Sequence, residues 1–198
     1  MSMLDFESKY LARGVKFICG IDEAGRGPLA GPVVAAGVIL PLDEASVIEG
    51  VNDSKKLSEK KREKLFDEIV AKAIAYHVAF VDNQTIDEIN ILNATKKAMN
   101  ECVDRLPQSQ VVLIDAVRPS VDQRIVPIVH GDALSYSIAA ASILAKVSRD
   151  RYMKQVAEQF PQYDFAKHKG YGTAEHIALL KQYGPCPLHR KTFIKNFF

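Results

Sequence analysis

Apolar residues along the chain switch between two spacings. Phe17–Ile21 and Val33–Leu40 are short apolar runs, the second closed by Pro41, and runs of this length bounded by turn residues predict buried strands. Gly25, Gly27 and Gly31 lie between them, so a glycine-rich turn joining a β-hairpin is expected. The period then lengthens. Ser58 stands as a cap before Leu65, Phe66, Ile69, Val70, Ala73 and Ile74, which share one face of a predicted helix. Tyr76–Val81 predicts a third strand, and Ile86–Leu106 a mainly helical stretch with Ile89, Leu92, Met99 and Val103 on or near its core side. Two more strands follow, Val111–Ile114 running into Asp115 and Ile125–Val129 running towards Gly131-Asp132. From Leu134 to about Phe160 a long helix is predicted. Its first half, Ile138–Val147, is apolar almost all round and so should cross the centre of the domain. Strands first and helices interleaved later give an α/β class, a mixed sheet flanked by helices. Residues 1–198 read as one domain, with Pro161–Thr173 leading into a small helical C-terminal lobe over about 161–198.

The polar residues that interrupt this pattern carry the candidate chemistry. Asp22 and Glu23 fall at the end of the first strand, where acids have no packing purpose and must be solvated, paired or bound to metal. An ordinary solvated turn has the same acid-acid-glycine composition. The glycine spacing is not the dinucleotide fingerprint, and with no Gly-Lys-Ser/Thr a P-loop is disfavoured. The balance shifts because Asp115 and Asp132 also stand at the ends of apolar runs. Asp132 could equally cap the helix that follows. Acids gathered at one sheet edge would repel unless divalent cations sat between them, and hard oxygen ligands suit Mg²⁺ or Mn²⁺.

Three basic or aromatic groups add to this. Lys55-Lys56 follow Asp53-Ser54 in a polar loop, a place where lysines are usually just solvated but from which they could reach phosphates. Lys146 and Arg149, three apart on one face of the buried helix, should need acidic partners, and a structural role is expected of them. His168-Lys169-Gly170-Tyr171-Gly172 sets a ring among cations and glycines, a combination that can stack on a sugar or base, although a surface-packed loop tyrosine is the commoner outcome.

Charge is informative only when divided. The formal net charge is +2, yet residues 146–198 hold ten Lys/Arg against four Asp/Glu (+6), leaving 16 against 20 (−4) before them. An acidic half suited to cations thus precedes a basic half suited to a polyanion. With 47% hydrophobic residues the chain is not a disordered one. Cys19, Cys102 and Cys186 are three with no metal-site spacing, and the first ten residues contain no apolar signal core, so free thiols and a cytoplasmic location are expected. No apolar run approaches the ~20 residues that span a bilayer, so no membrane contact is expected.

Taken in order, Asp22-Glu23-Ala24-Gly25-Arg26-Gly27-Pro28, Asn52 to Ser58, Leu113-Ile114-Asp115, Gly131-Asp132, Ser137 to Asp150 and His168 to Thr173 resemble the motif series of type 2 ribonuclease H, the bacterial ribonuclease HII. Six ordered blocks over nearly the whole chain make the resemblance specific. It implies a ribonuclease H-like fold and hydrolysis of the RNA strand of RNA/DNA hybrids. It also implies cutting 5′ of single ribonucleotides in duplex DNA, leaving 5′-phosphate and 3′-hydroxyl, with two Mg²⁺ or Mn²⁺ ions. It places Asp22, Glu23, Asp115 and Asp132 in the metal site, Gly25, Arg26, Gly27 and Tyr171 at the ribonucleotide, and Ser54 and Lys55 near the phosphates. His130 stands where a lysine is common in the family. With 21 residues before Asp22, and Arg26 in the glycine turn, the type 3 relatives with an extra N-terminal domain are disfavoured. A metal-dependent DNA nuclease or resolvase on the same fold and a catalytically silent nucleic-acid-binding module remain alternatives, the silent module counted against by the intact acids at 22, 23, 115 and 132. Finally, Lys191 to Phe198 has the spacing of a sliding-clamp-binding box, with lysine in place of its glutamine. Docking of those aromatics on the domain itself is the stronger expectation, and a monomer is expected.

Overall fold

The structure, a computed structural model, describes residues 2–197. In chain order, helix α1 (Asp5–Leu11) leads to strands β1 (Ile18–Ala24) and β2 (Val33–Ile39), then α2 (Glu59–Lys72), β3 (Ala75–Val81), α3 (Asn83–Arg105), β4 (Val111–Asp115) and β5 (Ile125–Ile128). The remainder is helical: α4 (Gly131–Leu134), α5 (Tyr136–Ala157), α6 (Phe165–His168), α7 (Ala174–Tyr183) and α8 (Lys191–Ile194). Ser58 caps α2 as its sequence position predicts, and Thr173 caps α7, each side-chain oxygen accepting a backbone N–H three residues on.

The five strands form one mixed sheet in the order β3-β2-β1-β4-β5. β1 is central, antiparallel to β2 and parallel to β4. Alternate residues of β1 and β2 face opposite sides. Cys19, Ile21 and Ala35 pack with Met99 and Cys102 of α3 on one side, while Ala36 and Val38 pack with Ala139, Ala140 and Ile143 of α5 on the other. The apolar half of α5 is buried, as its composition predicts. Small residues let helix and strand approach closely: a Cβ added at Gly20 would lie 2.1 Å from the carbonyl carbon and oxygen of Ser137.

Three expectations about the elements change. Asp22 and Glu23 lie inside β1 rather than at its end, because pairing with β2 continues to Ala24↔Val34. Helix α3 breaks at Asn90, whose φ is +66° and whose side chain accepts the Asn93 N–H, so Leu92 turns outward and is 43% exposed. Asp132 is neither a strand end nor a cap; it sits in the first turn of α4, and Ser135 caps α5 by accepting the Ile138 N–H at 3.3 Å. Residues beyond α5 fold back onto the glycine turn through Leu29 N–H to Gly170 O (2.8 Å), Gly31 N–H to Leu188 O (2.9 Å) and Arg190 N–H to Leu29 O (2.8 Å). Among the described residues no helix is long and apolar enough to cross a membrane.

Candidate active site

The parallel register of β1 and β4 pairs Ile21 with Ile114, so the next residues, Asp22 and Asp115, leave neighbouring strands at the same level. Asp115 accepts the Gly131 N–H at 2.7 Å, which draws the start of α4, and with it Asp132, to the same edge of the sheet. This is the carboxyl end of the parallel strands, where open α/β sheets gather ligands. Two non-glycine residues with positive φ adjoin these acids, Ala116 at +47° and His130 at +57°. Backbone strain of this kind collects at functional sites.

Asp22, Glu23 and Asp115 line a cavity of about 220 Å³ together with Gly25, Arg26, Gly27, Ser54, Lys55, Lys146 and Tyr171. Asp22 is 5% exposed and Asp132 6%. Burial, then the neighbouring charges of Glu23 and Asp115, push the Asp22 carboxyl well above the usual carboxylate range. Burial raises Glu23 and Asp115 as well, although the Arg26 guanidinium at 3.4 Å from Glu23 opposes the rise there. The second Glu23 oxygen is buried without a hydrogen-bond partner. Among the described residues no three His, Cys, Asp or Glu side chains are already gathered at ligand geometry, so the acids line the cavity rather than close on a point. A larger hollow of about 630 Å³ lies beside Asn83 and Asp87, where the Lys191 and Thr192 amides donate to the Asp87 oxygens.

Lys55 comes from the loop before α2. Its backbone N–H is held by Asp53, its Nζ donates to Asp132 at 3.0 Å, and that contact raises the lysine pKa. Ser54 donates its N–H to Ser142 Oγ on α5, and Arg62 binds the Ser54 carbonyl, so the loop is fastened to the core.

Tyr171 closes the opposite side, 40% exposed, with Lys146 Nζ 5.5 Å and Arg149 Cζ 5.7 Å from its ring centre. Its backbone is held by histidines that the sequence pattern did not single out. His189 Nδ1 accepts the Cys186 N–H, so its Nε2 carries the proton and donates to His176 Nε2 at 3.1 Å. His176 therefore carries its proton on Nδ1 and donates to the Tyr171 carbonyl at 2.9 Å. Burial lowers the pKa of both rings, and that of His189 falls to about 4.

Lys146 finds the acidic partner expected for it, Asp150 at 2.8 Å. Arg149 does not. It is wholly buried, and its three hydrogen bonds go to the carbonyls of Ala30, Pro32 and Lys169. Backbone dipoles, rather than a carboxylate, offset its charge.

The ribonuclease HII sequence profile matches residues 19–197. The ribonuclease HII of Ruminiclostridium cellulolyticum is 56% identical over 98% of this chain and 76% of its own length. The chain belongs to the ribonuclease HII family. Its Caldicellulosiruptor bescii relative is also 56% identical, over 97% of this chain and 93% of its own. Among solved structures, Archaeoglobus fulgidus ribonuclease HII, determined in complex with PCNA, superposes with a TM-score of 0.76 at 31% identity, covering 91% of this chain and 96% of that one. Pyrococcus horikoshii ribonuclease H2 gives 0.72 at 27% identity over the same shares. Type 3 enzymes such as Bst-RNase HIII, 18% identical with a TM-score of 0.63, share the fold. Family membership makes the protein a ribonuclease H, a hydrolase acting on the RNA of RNA/DNA hybrids.

Proposed function

We propose that this ribonuclease HII cuts phosphodiester bonds at the cavity lined by Asp22, Glu23 and Asp115, with Asp132 joined to it through Lys55. Its substrates are RNA within RNA/DNA hybrids and single ribonucleotides embedded in duplex DNA, cut on the 5′ side to leave 5′-phosphate and 3′-hydroxyl ends. The observation that carries this reading is an acid cluster without sufficient countercharge: Asp22 is driven up by burial and by the neighbouring carboxylates of Glu23, Asp115 and Asp132, and a buried Glu23 oxygen has no partner. Such a donor set fits hard divalent cations, Mg²⁺ or Mn²⁺. Two such ions would supply Lewis acidity, lowering the pKa of a water and offsetting charge on the leaving 3′-oxygen.

The protein's own groups do the rest. Asp22, Glu23, Asp115 and Asp132 hold the ions; Lys55, with 77% of its side chain exposed, swings between Asp132 and substrate phosphate near Ser54. The Gly25-Arg26-Gly27 turn meets the ribose, whose 2′-hydroxyl separates RNA from DNA, and the Tyr171 ring stacks at the junction.

The test is cleavage of labelled duplexes carrying none, one or four ribonucleotides, in Mg²⁺ and in Mn²⁺, by wild type and by Asp22→Asn, Asp115→Asn and Asp132→Asn. Each variant is expected to lose more than ~90% of turnover, at least about 1.4 kcal/mol of transition-state stabilisation. Each should also melt no lower than wild type in the absence of metal, because a carboxamide removes repulsion from a crowded site. A folded variant keeping more than a tenth of turnover would remove that residue from the metal site, and cleavage of all-deoxy duplex would point instead to a DNA nuclease.

A second contact is favoured by the PCNA complex of the Archaeoglobus relative. Residues 191–197 have the clamp-box spacing, although Ile194 is 3% exposed and Phe197 packs beside Leu29, Leu180 and Ile194; Phe198 lies outside the described residues. A sliding clamp would have to draw this segment off the domain. Clamp capture by the full chain, lost on deleting residues 191–198, is the expected result, and capture unaffected by the deletion would refute it.

A further inference from the structure

The two largest fully buried side chains are Arg149 and Arg190. Neither has a carboxylate partner among the described residues. Their six hydrogen bonds end on backbone carbonyls, five of them between residues 25 and 32. Arg190 donates to Gly25 O (2.7 Å), Arg26 O (3.0 Å) and Gly31 O (2.9 Å); Arg149 donates to Ala30 O (3.0 Å), Pro32 O (2.9 Å) and Lys169 O (2.9 Å). The planar five-donor fork of arginine suits this three-carbonyl capture, which a point-charged lysine cannot reproduce. Burial and the nearby Arg149 charge lower the Arg190 pKa to about 9, so it remains cationic at neutral pH.

Tethering those carbonyls has a geometric consequence. Among the described residues no peptide bond is cis, and peptide units are close to planar, so each N–H points opposite to the carbonyl in the same plane. With the Gly25 and Arg26 carbonyls turned back onto Arg190, the amides of Arg26 and Gly27 are turned away from it. Neither amide has a protein acceptor among the described residues, and both residues line the acidic cavity. Gly25, at φ +91°, is forced by the same packing: a Cβ there would lie 2.1 Å from Arg149 Nε.

We propose that Arg190, 163 residues from Gly27, is a positioning residue for substrate recognition, fixing two peptide planes so that the Arg26 and Gly27 amides form a preset pair of donors for an oxygen of the bound strand. This rests on the reading that the turn meets the ribonucleotide. The oxygen is a ribose hydroxyl or a phosphate oxygen, and the choice is open to experiment. A loop that had to find this conformation on binding would lose affinity through its ordering entropy, which a buried guanidinium removes in advance.

The test uses the full chain as wild type, Arg190→Lys and Arg190→Ala, with dissociation constants measured without divalent metal for a duplex carrying one ribonucleotide and for its all-deoxy counterpart. KM and kcat on RNA/DNA hybrid are measured alongside, with urea midpoints for fold. Arg190→Ala is expected to weaken binding about tenfold and raise KM more than it lowers kcat, with Arg190→Lys between. Guanidinium chloride at tens of millimolar, against equal sodium chloride, should restore part of the Arg190→Ala affinity. Loss confined to the ribonucleotide duplex supports the hydroxyl as the oxygen, and equal loss on both supports a phosphate. Wild-type affinity in a folded Arg190→Ala, or guanidinium rescue of the urea midpoint without rescue of affinity, overturns the proposal; where Arg190→Ala does not fold, wild-type affinity in Arg190→Lys overturns it. Failure of the wild type to cleave hybrid would count against the proposed function instead.

Discussion

Gly20→Ala isolates the contact that sets the site's frame. The Cβ it adds would stand 2.1 Å from the Ser137 carbonyl carbon and oxygen and 2.6 Å from the Ile138 nitrogen, all backbone atoms of α5. Ordinary contact is ~3.5–4.0 Å, so strand and helix must part by roughly 1.4 Å or more. No rotamer can absorb this, because both surfaces are main chain. Overpacking costs about 1–3 kcal/mol, and the upper end is expected here because α5 is buried on every side at this point. At about 2–4 °C per kcal/mol for a chain of this size, the melting temperature should fall by about 6–12 °C. Activity should fall further than stability explains. Asp22 is two residues along β1 from Gly20, while Asp132 is on α4 immediately before α5, so parting the two elements separates the acids. Misplacement by ~1 Å can cost about 100-fold in rate. The matched control for stability alone is Gly27→Ala, where an added Cβ meets nothing within 4 Å; its unfolding free energy should stay within about 0.5 kcal/mol of wild type. Thermal unfolding followed by circular dichroism, with single-turnover cleavage of RNA/DNA hybrid, reads both quantities. A Gly20→Ala protein that melts within about 1 °C of wild type and cleaves normally would refute the claim that strand and helix are locked at backbone contact.

Three further outcomes follow from the site. Tyr171→Ala should impair cutting at a lone ribonucleotide more than within an RNA tract, with Tyr171→Phe between at a cost of about 0.5–1.5 kcal/mol for the hydroxyl; equal losses on both substrates would sink junction sensing. Lys55→Ala should flatten the salt dependence of duplex binding by about one phosphate contact, and an unchanged slope would return Lys55 to a role on Asp132 alone. His189, buried with its pKa lowered to about 4 against ~6.5 when unfolded, contributes stability that is complete above pH ~6.5 and lost as pH falls towards 4. The urea-derived stability should therefore drop on going from pH 7.5 to 4.5, on the order of 2 kcal/mol of it from this ring. His189→Gln should lessen that drop, and an undiminished one would show the ring to be protonated in the folded state.

Periodicity in the sequence was enough for the strands, the cap at Ser58 and the buried first half of α5, because these depend on local spacing and on burial of apolar runs. The ordered motif blocks carried the family and nominated the acids. Convergence was beyond reach of local spacing. Asp22 and Asp115 become neighbours through the parallel β1–β4 register, and Asp132 arrives through a short helix that Asp115 tethers, both set by pairing between residues far apart in the chain. Partners of buried charges were equally hidden: Arg149 finds carbonyls where the helix face predicted an acid. Nothing in Leu188-His189-Arg190-Lys191 marks a side chain that holds the turn at residues 25–31. Backbone carbonyls have no signature in an amino-acid sequence, since every residue carries one. Only the folded chain decides which of them turn inward to be captured and which amides are thereby left facing the site.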